Sequence, residues 1–246
     1  MKRLIVAAIV LLSVPFALAS VAQAGDPGTP HYPDLQTLPP SQLKLTRDRA
    51  TGQRTLRFSN TVANLGDGVF ELRPAHDPLT GTTLAYQRVY THDAGGAWSL
   101  YSETAAGVFT FHLLHDHWHV NDFALYELRN VAPDGSIGST VLATGGKITF
   151  CIMDTSSVQS SLEHSTGRIY KTCGGQNDTQ GLSVGWADTY TWNLPGQSLD
   201  VTNVPTGTYY LVSTADPDNL FAETNDANNT AAVKVSIKGN TAKVVP

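Results

Sequence analysis

Four of the chain's eight histidines fall within residues 111–123, FHLLHDHWHVNDF: His112, His115, His117 and His119. The last three stand at i, i+2 and i+4. Alternate residues of a β-strand face one side. A strand here would therefore carry His115, His117 and His119 on one face, with Asp116 and Trp118 on the other. A helix would spread the same three around its cylinder. Neutral imidazole is the commonest side-chain ligand for copper, zinc, nickel and iron, and imidazole alone leaves the choice among them open. On a straight strand His115 and His119 stand roughly 13 Å apart, a span two rings barely close on one ion. The strand is thus expected to bend or bulge here. One histidine would read as an ordinary surface or core residue; three in alternation, with a fourth upstream, read as a metal site.

Other residues carry weaker chemical signals. Lys147 lies among apolar neighbours in TGGKITFCIMD. Its plain reading is a surface lysine; if buried, its neutral amine becomes a nucleophile. Tyr190, in ADTY, reads by itself as a core tyrosine whose hydroxyl finds a partner. The segment LFAETNDANN (220–229) gathers Glu223, Asn225, Asp226, Asn228 and Asn229. These are hard oxygen ligands of the kind calcium takes, although Asn and Asp also favour turns. Asp34 adds a carboxylate if the two ends of the domain meet. Cys151 and Cys173 are the two cysteines, and an exported chain would join them in a disulfide.

The elements that must position these residues are strands. Residues 1–24 read as a signal peptide: Lys2 and Arg3, then an apolar run to Leu18, then Ala22-Gln23-Ala24 before Gly25. Pro15 and the small residues at the end of the run argue against a membrane anchor. A secreted protein with no membrane attachment after cleavage is expected. Residues 25–246 suit one all-β domain. With 15% charged residues and a net charge of −5, the chain lacks the basic surface that nucleic acid requires. Residues 25–45 read as an extended lead-in. Alternation or β-rich composition marks strands at 54–63, 69–74, 84–91, 106–114, 122–129, 147–154, 188–194, 198–204, 207–216 and 231–237. This pattern describes a single β-sandwich-like domain with long loops and little helix. The polar stretch 155–180 is a long loop that a Cys151–Cys173 bridge would tie down.

HDHWHVNDFALYEL, GGKITFCIMD, TQGLSVGWADTY, LDVTNVPTGTYYLV and LFAETNDANN form an ordered set. It resembles the catalytic domain of the lysyl oxidase family, from about Asp34 to Ile237. The resemblance implies a copper amine oxidase with copper on His115, His117 and His119. It implies a lysine tyrosylquinone cofactor built from Lys147 and Tyr190. It also implies a calcium site starting at Glu223, taking in Asn225, Asn228 and Asn229, with Asp34 and Leu35 from the N-terminal side. The activity implied is oxidation of primary amines, peptidyl lysine or small amines, to aldehydes, with dioxygen as acceptor and ammonia and hydrogen peroxide released. Asp188, two residues from Tyr190, would share its strand face and is the candidate base. Asn225 stands where the family pattern has Asp, and one disulfide replaces the richer set of the animal members, so the chain looks like a microbial relative. Two other readings stay open. A calcium-holding adhesion module needs neither Lys147, Tyr190 nor three alternating histidines. A mononuclear iron or zinc enzyme would leave Lys147 and Tyr190 unused.

Overall fold

From Thr83 to His92 every second residue is buried and those between are half-exposed, as in a strand with one face on a core. The computed structural model describes residues 28–93, 95–113 and 115–246, with the side chains of 146 and 147 outside that description. The expected signal peptide, 1–24, lies outside the described residues. Among them no helix is long and apolar enough to cross a membrane.

In chain order the strands are β1 (Thr29–His31), β2 (Leu35–Arg47), β3 (Arg54–Asn64), β4 (Phe70–His76), β5 (Thr83–His92), β6 (Trp98–His112), β7 (His117–Val131) and β8 (Ile137–Phe150). They continue with β9 (Ser156–Ser157), β10 (Gln180–Leu182), β11 (Trp186–Tyr190), β12 (Ser198–Asp200), β13 (Gly207–Ala215), β14 (Thr230–Lys238) and β15 (Thr241–Val244). A 3-10 turn at Asp226–Asn228 is the only helical element among the described residues. The larger sheet runs β10-β4-β5-β6-β7-β13-β14-β15, with β1 added on β5 and β8 on β7. The smaller sheet centres on β3, which pairs with β2, β11 and β12, while β9 lies on β11. Strand pairing is antiparallel.

The core unites the two sheets. Leu56, Phe58 and Val62 of β3 join Phe123, Tyr126 and Leu128 of β7, all fully buried. Phe58 meets Tyr126 edge-on, with centroids 4.9 Å apart, a geometry worth about 1 kcal/mol beyond the area it buries. The expected all-β, sandwich-like class is what the chain forms.

Several boundaries differ from the sequence reading, each for a local reason. The lead-in holds β2, whose alternation is broken by Pro39-Pro40 and by register shifts between Leu38 and Ser41 and between Ser41 and Lys44. Proline in a sheet is confined to edges and bulges, so its presence hid the strand. Ser59, expected on the outer face of β3, is 3% exposed, because its hydroxyl donates to Gln42 Oε1 and accepts from the Trp192 amide. The 188–194 strand ends at Tyr190, and the 198–204 strand at Asp200.

The Cys151–Cys173 disulfide is present. It anchors the polar loop next to β7, where the Trp118 amide donates to the Cys173 carbonyl at 2.9 Å. Buried Asp154 holds the loop from the other side, accepting from the amides of Ile169, Tyr170 and Ser183.

Candidate active site

The histidine stretch forms a hairpin rather than one strand. β6 ends at His112 and β7 begins at His117, and these two residues face each other across the ladder. The amides of His115 and Asp116 both donate to the His112 carbonyl at 2.9 Å. Asp116 adopts a left-handed backbone, φ 56°, which Asp tolerates better than most residues. The expected strand alternation therefore holds for His117 and His119 but fails for His115, which sits in the turn. The turn does what a bulge was expected to do: it brings His115 back over its own strand.

The rings meet as a result. Centroids of His115, His117 and His119 lie 4.8–5.4 Å apart. One ring nitrogen from each falls within 4.8 Å of the others. His115 Nδ1 and His119 Nε2 are 3.3 Å apart. His119 is 2% exposed, and burial, reinforced by the neighbouring imidazoles, pushes its pKa down to about 3. Burial is also the main cause that lowers His115 and His117. Burial thus favours the neutral form of all three, the form that ligates a metal. On the far side of His119, Nδ1 meets Thr149 Oγ1 at 2.9 Å, which fixes the ring and leaves Nε2 for an ion. His112 joins the group, its ring stacked on His119 at 5.0 Å. Its pairing with His117 depends on the hairpin register, which the spacing alone did not reveal. Cys151 and Cys173 lie beside His117, but their sulfurs are bonded to each other and offer no thiolate.

Tyr190 closes β11 and lines two adjoining clefts, one with His112, His115 and His119, the other with His115, His117 and Asp188. Its hydroxyl oxygen accepts the Cys151 amide at 2.7 Å and its O–H donates to the Cys151 carbonyl at 3.2 Å. Phe150 packs on its ring with centroids 4.0 Å apart. Burial, then the Asp188 charge, drives the phenol above its ordinary range. Asp188 shares the second cleft with Tyr190, as its strand position predicts. It is 1% exposed, and burial pushes its pKa up to about 8 despite the Met153 amide that donates to it. The backbone of Lys147 lies in β8, opposite Leu125 and two residues before Thr149; its side chain lies outside the described residues.

The polar group at the C-terminal side does meet the N-terminal segment. The Leu35 amide donates to Glu223 Oε2 at 2.5 Å and Asn229 Nδ2 to Oε1 at 2.9 Å. Asn228 Nδ2 and Gln36 Nε2 donate to Asp34 Oδ2. Asp34 Oδ1, Asn228 Oδ1 and Asn229 Oδ1 are buried with no hydrogen-bond partner. Such orphaned oxygens are costly unless something cationic meets them. Burial also raises Glu223 to about 8. This donor set fits a hard cation such as calcium. Asn225 stands apart from it, because its side chain caps the 3-10 turn by accepting from the Ala227 amide. Leu35 reaches the group through a donor, so only its carbonyl could ligate.

The lysyl oxidase family model matches residues 86–246. Pig protein-lysine 6-oxidase is 30% identical over 131 residues, covering 53% of this chain and 47% of that protein. The human protein-lysine 6-oxidase is 30% identical over 131 residues, 53% of this chain and 28% of that protein. Zebrafish lysyl oxidase homolog 2A is 29% identical over 194 residues, 78% of this chain and 20% of that protein. The matched stretch thus spans less than half the length of these relatives.

Proposed function

This chain belongs to the lysyl oxidase family, and on that premise we propose that it is a secreted, copper- and quinone-dependent amine oxidase. It converts primary amines, peptidyl lysine or small amines, to aldehydes, consumes dioxygen, and releases ammonia and hydrogen peroxide. One observation carries this reading: three imidazoles with their nitrogens within 4.8 Å of one another line two adjoining clefts that both hold Tyr190, one of them with Asp188.

Copper(II) and a lysine tyrosylquinone supply, when bound, the oxidising equivalents and the electrophilic carbonyl that an amine needs. The residues of this chain do the rest. His115, His117 and His119 hold the ion, and Thr149 orients His119 through Nδ1. Tyr190, with Lys147 as its partner, provides the quinone precursor, and the Cys151 backbone fixes the position of its oxygen. Phe150 packs against the ring and helps fix its position. Asp188, once ionised, accepts the proton from the carbon that bears the amine. Calcium at Asp34, Glu223, Asn228 and Asn229 ties β2 to the C-terminal loop.

Peptide mass spectrometry on the copper-loaded, aerated protein tests the proposal. We expect the peptides holding Lys147 and Tyr190 to be covalently joined, and the join to vanish in Lys147→Ala and in protein kept free of copper. Both peptides free after full copper loading would overturn it.

A further inference from the structure

The half-exposed face of the larger sheet carries another cleft, which shares no residue with the two that hold Tyr190. Its floor is Glu71 of β4. Arg88 stands opposite Glu71 on β5, and Tyr90 follows two residues on. Directly opposed residues, and those two apart, share a face, so Glu71, Tyr90 and, further along β5, His92 project to one side. Trp98 of β6 lies opposite His92, and His31 of β1 lies opposite Tyr90. The long polar loop covers this face and brings in His164, Ile169 and Tyr170. Gly181 is opposite Glu71 on β10, and a Cβ there would come 3.1 Å from the Tyr170 ring. The missing side chain leaves room for the Tyr170 phenol to reach Glu71.

The walls of this cleft are electron-rich. Tyr90 and Tyr170 donate their O–H groups to the two oxygens of Glu71, at 2.6 and 2.9 Å. Burial, then the Glu71 carboxylate, pushes Tyr90 up to about 12 and lifts Tyr170 above the ordinary phenol range, so both keep those protons. With the protons turned to Glu71, the phenols offer the cleft only oxygen lone pairs and aromatic surface. His164 Nδ1 donates to the Asp67 carbonyl at 3.1 Å, which makes Nε2 of the neutral ring a further acceptor. The Asp67 turn also fixes His31, whose Nδ1 meets Oδ2 at 2.9 Å. His31, His92 and His164 pack around Trp98 with centroids 4.7–5.2 Å from it, and so hold an indole that is 44% exposed. Arg88 is bonded through Nε to Glu103, and its Nη1 stays 3.7 Å from Glu71 Oε1. Among the described residues no lysine or arginine lines the cleft.

We propose that this cleft binds a primary alkylammonium group, a lysine side chain or a small amine, at a place distinct from the catalytic clefts. The ammonium has three N–H donors and no acceptor, the complement of walls that only accept. Each Glu71 oxygen has room for a second donor beside its phenol, and Trp98 offers the cation an aromatic ring. Val69, Val184 and Ile169 take the aliphatic stem. The volume, about 190 Å³, suits one side chain rather than a drug-sized ligand, whose pockets start at about 300 Å³. A metal ion calls for several carboxylate or imidazole ligands, and the lining supplies one of each, Glu71 and His164. The site needs neither copper nor a quinone, so it stands whether or not the chain oxidises amines.

Titration calorimetry with n-pentylamine, and with n-pentanol as its uncharged match, tests the site. It is run on full-length mature protein without copper and on copper-loaded Tyr190→Phe, in neither of which a quinone can form. Both are expected to bind one equivalent of pentylamine with equal affinity, and no pentanol. Glu71→Gln should weaken pentylamine binding by about ten- to a hundredfold, and Trp98→Ala by about three- to fivefold. Trp98 lies outside the core, so its variant decides the matter if Glu71→Gln folds poorly. Tighter binding of Nα-acetyl-lysine methylamide than of pentylamine would mark a lysine side chain as the ligand, and weaker binding a free amine. Lack of saturable pentylamine binding, pentanol bound as tightly, or an affinity unchanged in Glu71→Gln or Trp98→Ala would overturn the proposal.

Discussion

Two histidine trios, His115, His117 and His119 on the hairpin and His31, His92 and His164 around Trp98, have similar ring spacing, 4.8–5.4 Å in one and 4.6–6.1 Å in the other, yet only the first brings a nitrogen of each ring within 4.8 Å of the others, and they are built in opposite ways. The first lies within five consecutive residues and needs only one hairpin. The second draws on β1, the end of β5 and the polar loop, and needs the sheet, the Asp67 turn and the loop tether to be in place. A local site resists changes elsewhere in the fold, whereas an assembled one responds to each of its supports.

The largest expected effect breaks the first trio alone. In His119→Gln copper uptake should be lost, measured by metal analysis; one equivalent of copper retained would show that the hairpin trio does not hold it. Next is removal of the disulfide in Cys151→Ser/Cys173→Ser. Freeing a 22-residue separation should cost about 3 kcal/mol of unfolding free energy in denaturant titration. Copper affinity should fall little, since the hairpin trio is built within five residues, and a large fall would count against the contrast. A smaller effect is expected from Thr149→Val, which strips the oxygen behind His119. Copper affinity should drop by about tenfold in competition with a chelator.

A further effect concerns pH. Asp188 has its folded pKa raised to about 8 from an ordinary value of 3.8. The folded state thus binds more protons than the unfolded state between these values. Its contribution to stability is complete below about pH 3.8 and is lost as pH rises through 8. In copper-free protein, thermal melts of Asp188→Asn should decline less than wild type between pH 5 and pH 9. An identical decline would rule out a buried carboxyl. The same residue should give the rising limb of the amine oxidation profile near pH 8, and Asp188→Asn should remove it.

The contrast between the trios also explains what could be read from the sequence. Strands such as 84–91, 207–216 and 231–237 declare themselves through alternation, because one face packs on the core. The trio at 115, 117 and 119 is visible because its spacing is itself the signal. The Cys151–Cys173 pair follows from there being two cysteines in a chain read as exported. His112 reaches the group through cross-strand register, which no local spacing encodes, and the turn that moves His115 off the strand is equally silent. β2 was hidden by Pro39-Pro40 and its shifts of register. His31, His92 and His164 look like isolated histidines until the fold brings them together. The Glu223 group was legible as hard oxygens, but the role of Asn225 as a cap emerged only from the 3-10 turn that follows it.

The hairpin between His112 and His117 has one more consequence, for how this chain tolerates changes in length. β7 runs for 15 residues and is paired on both sides. The pairing of β6 with β7 covers only Phe109–His112 against His117–Val120, and a one-residue slip there would turn His117 and His119 away from His112. A change of turn length that forced such a slip would break the trio. The polar loop, pinned at Asp154 and Cys173, can change length between its pins at little entropic cost. Homologues should therefore vary in length around residues 156–168 and hold the 112–117 turn fixed.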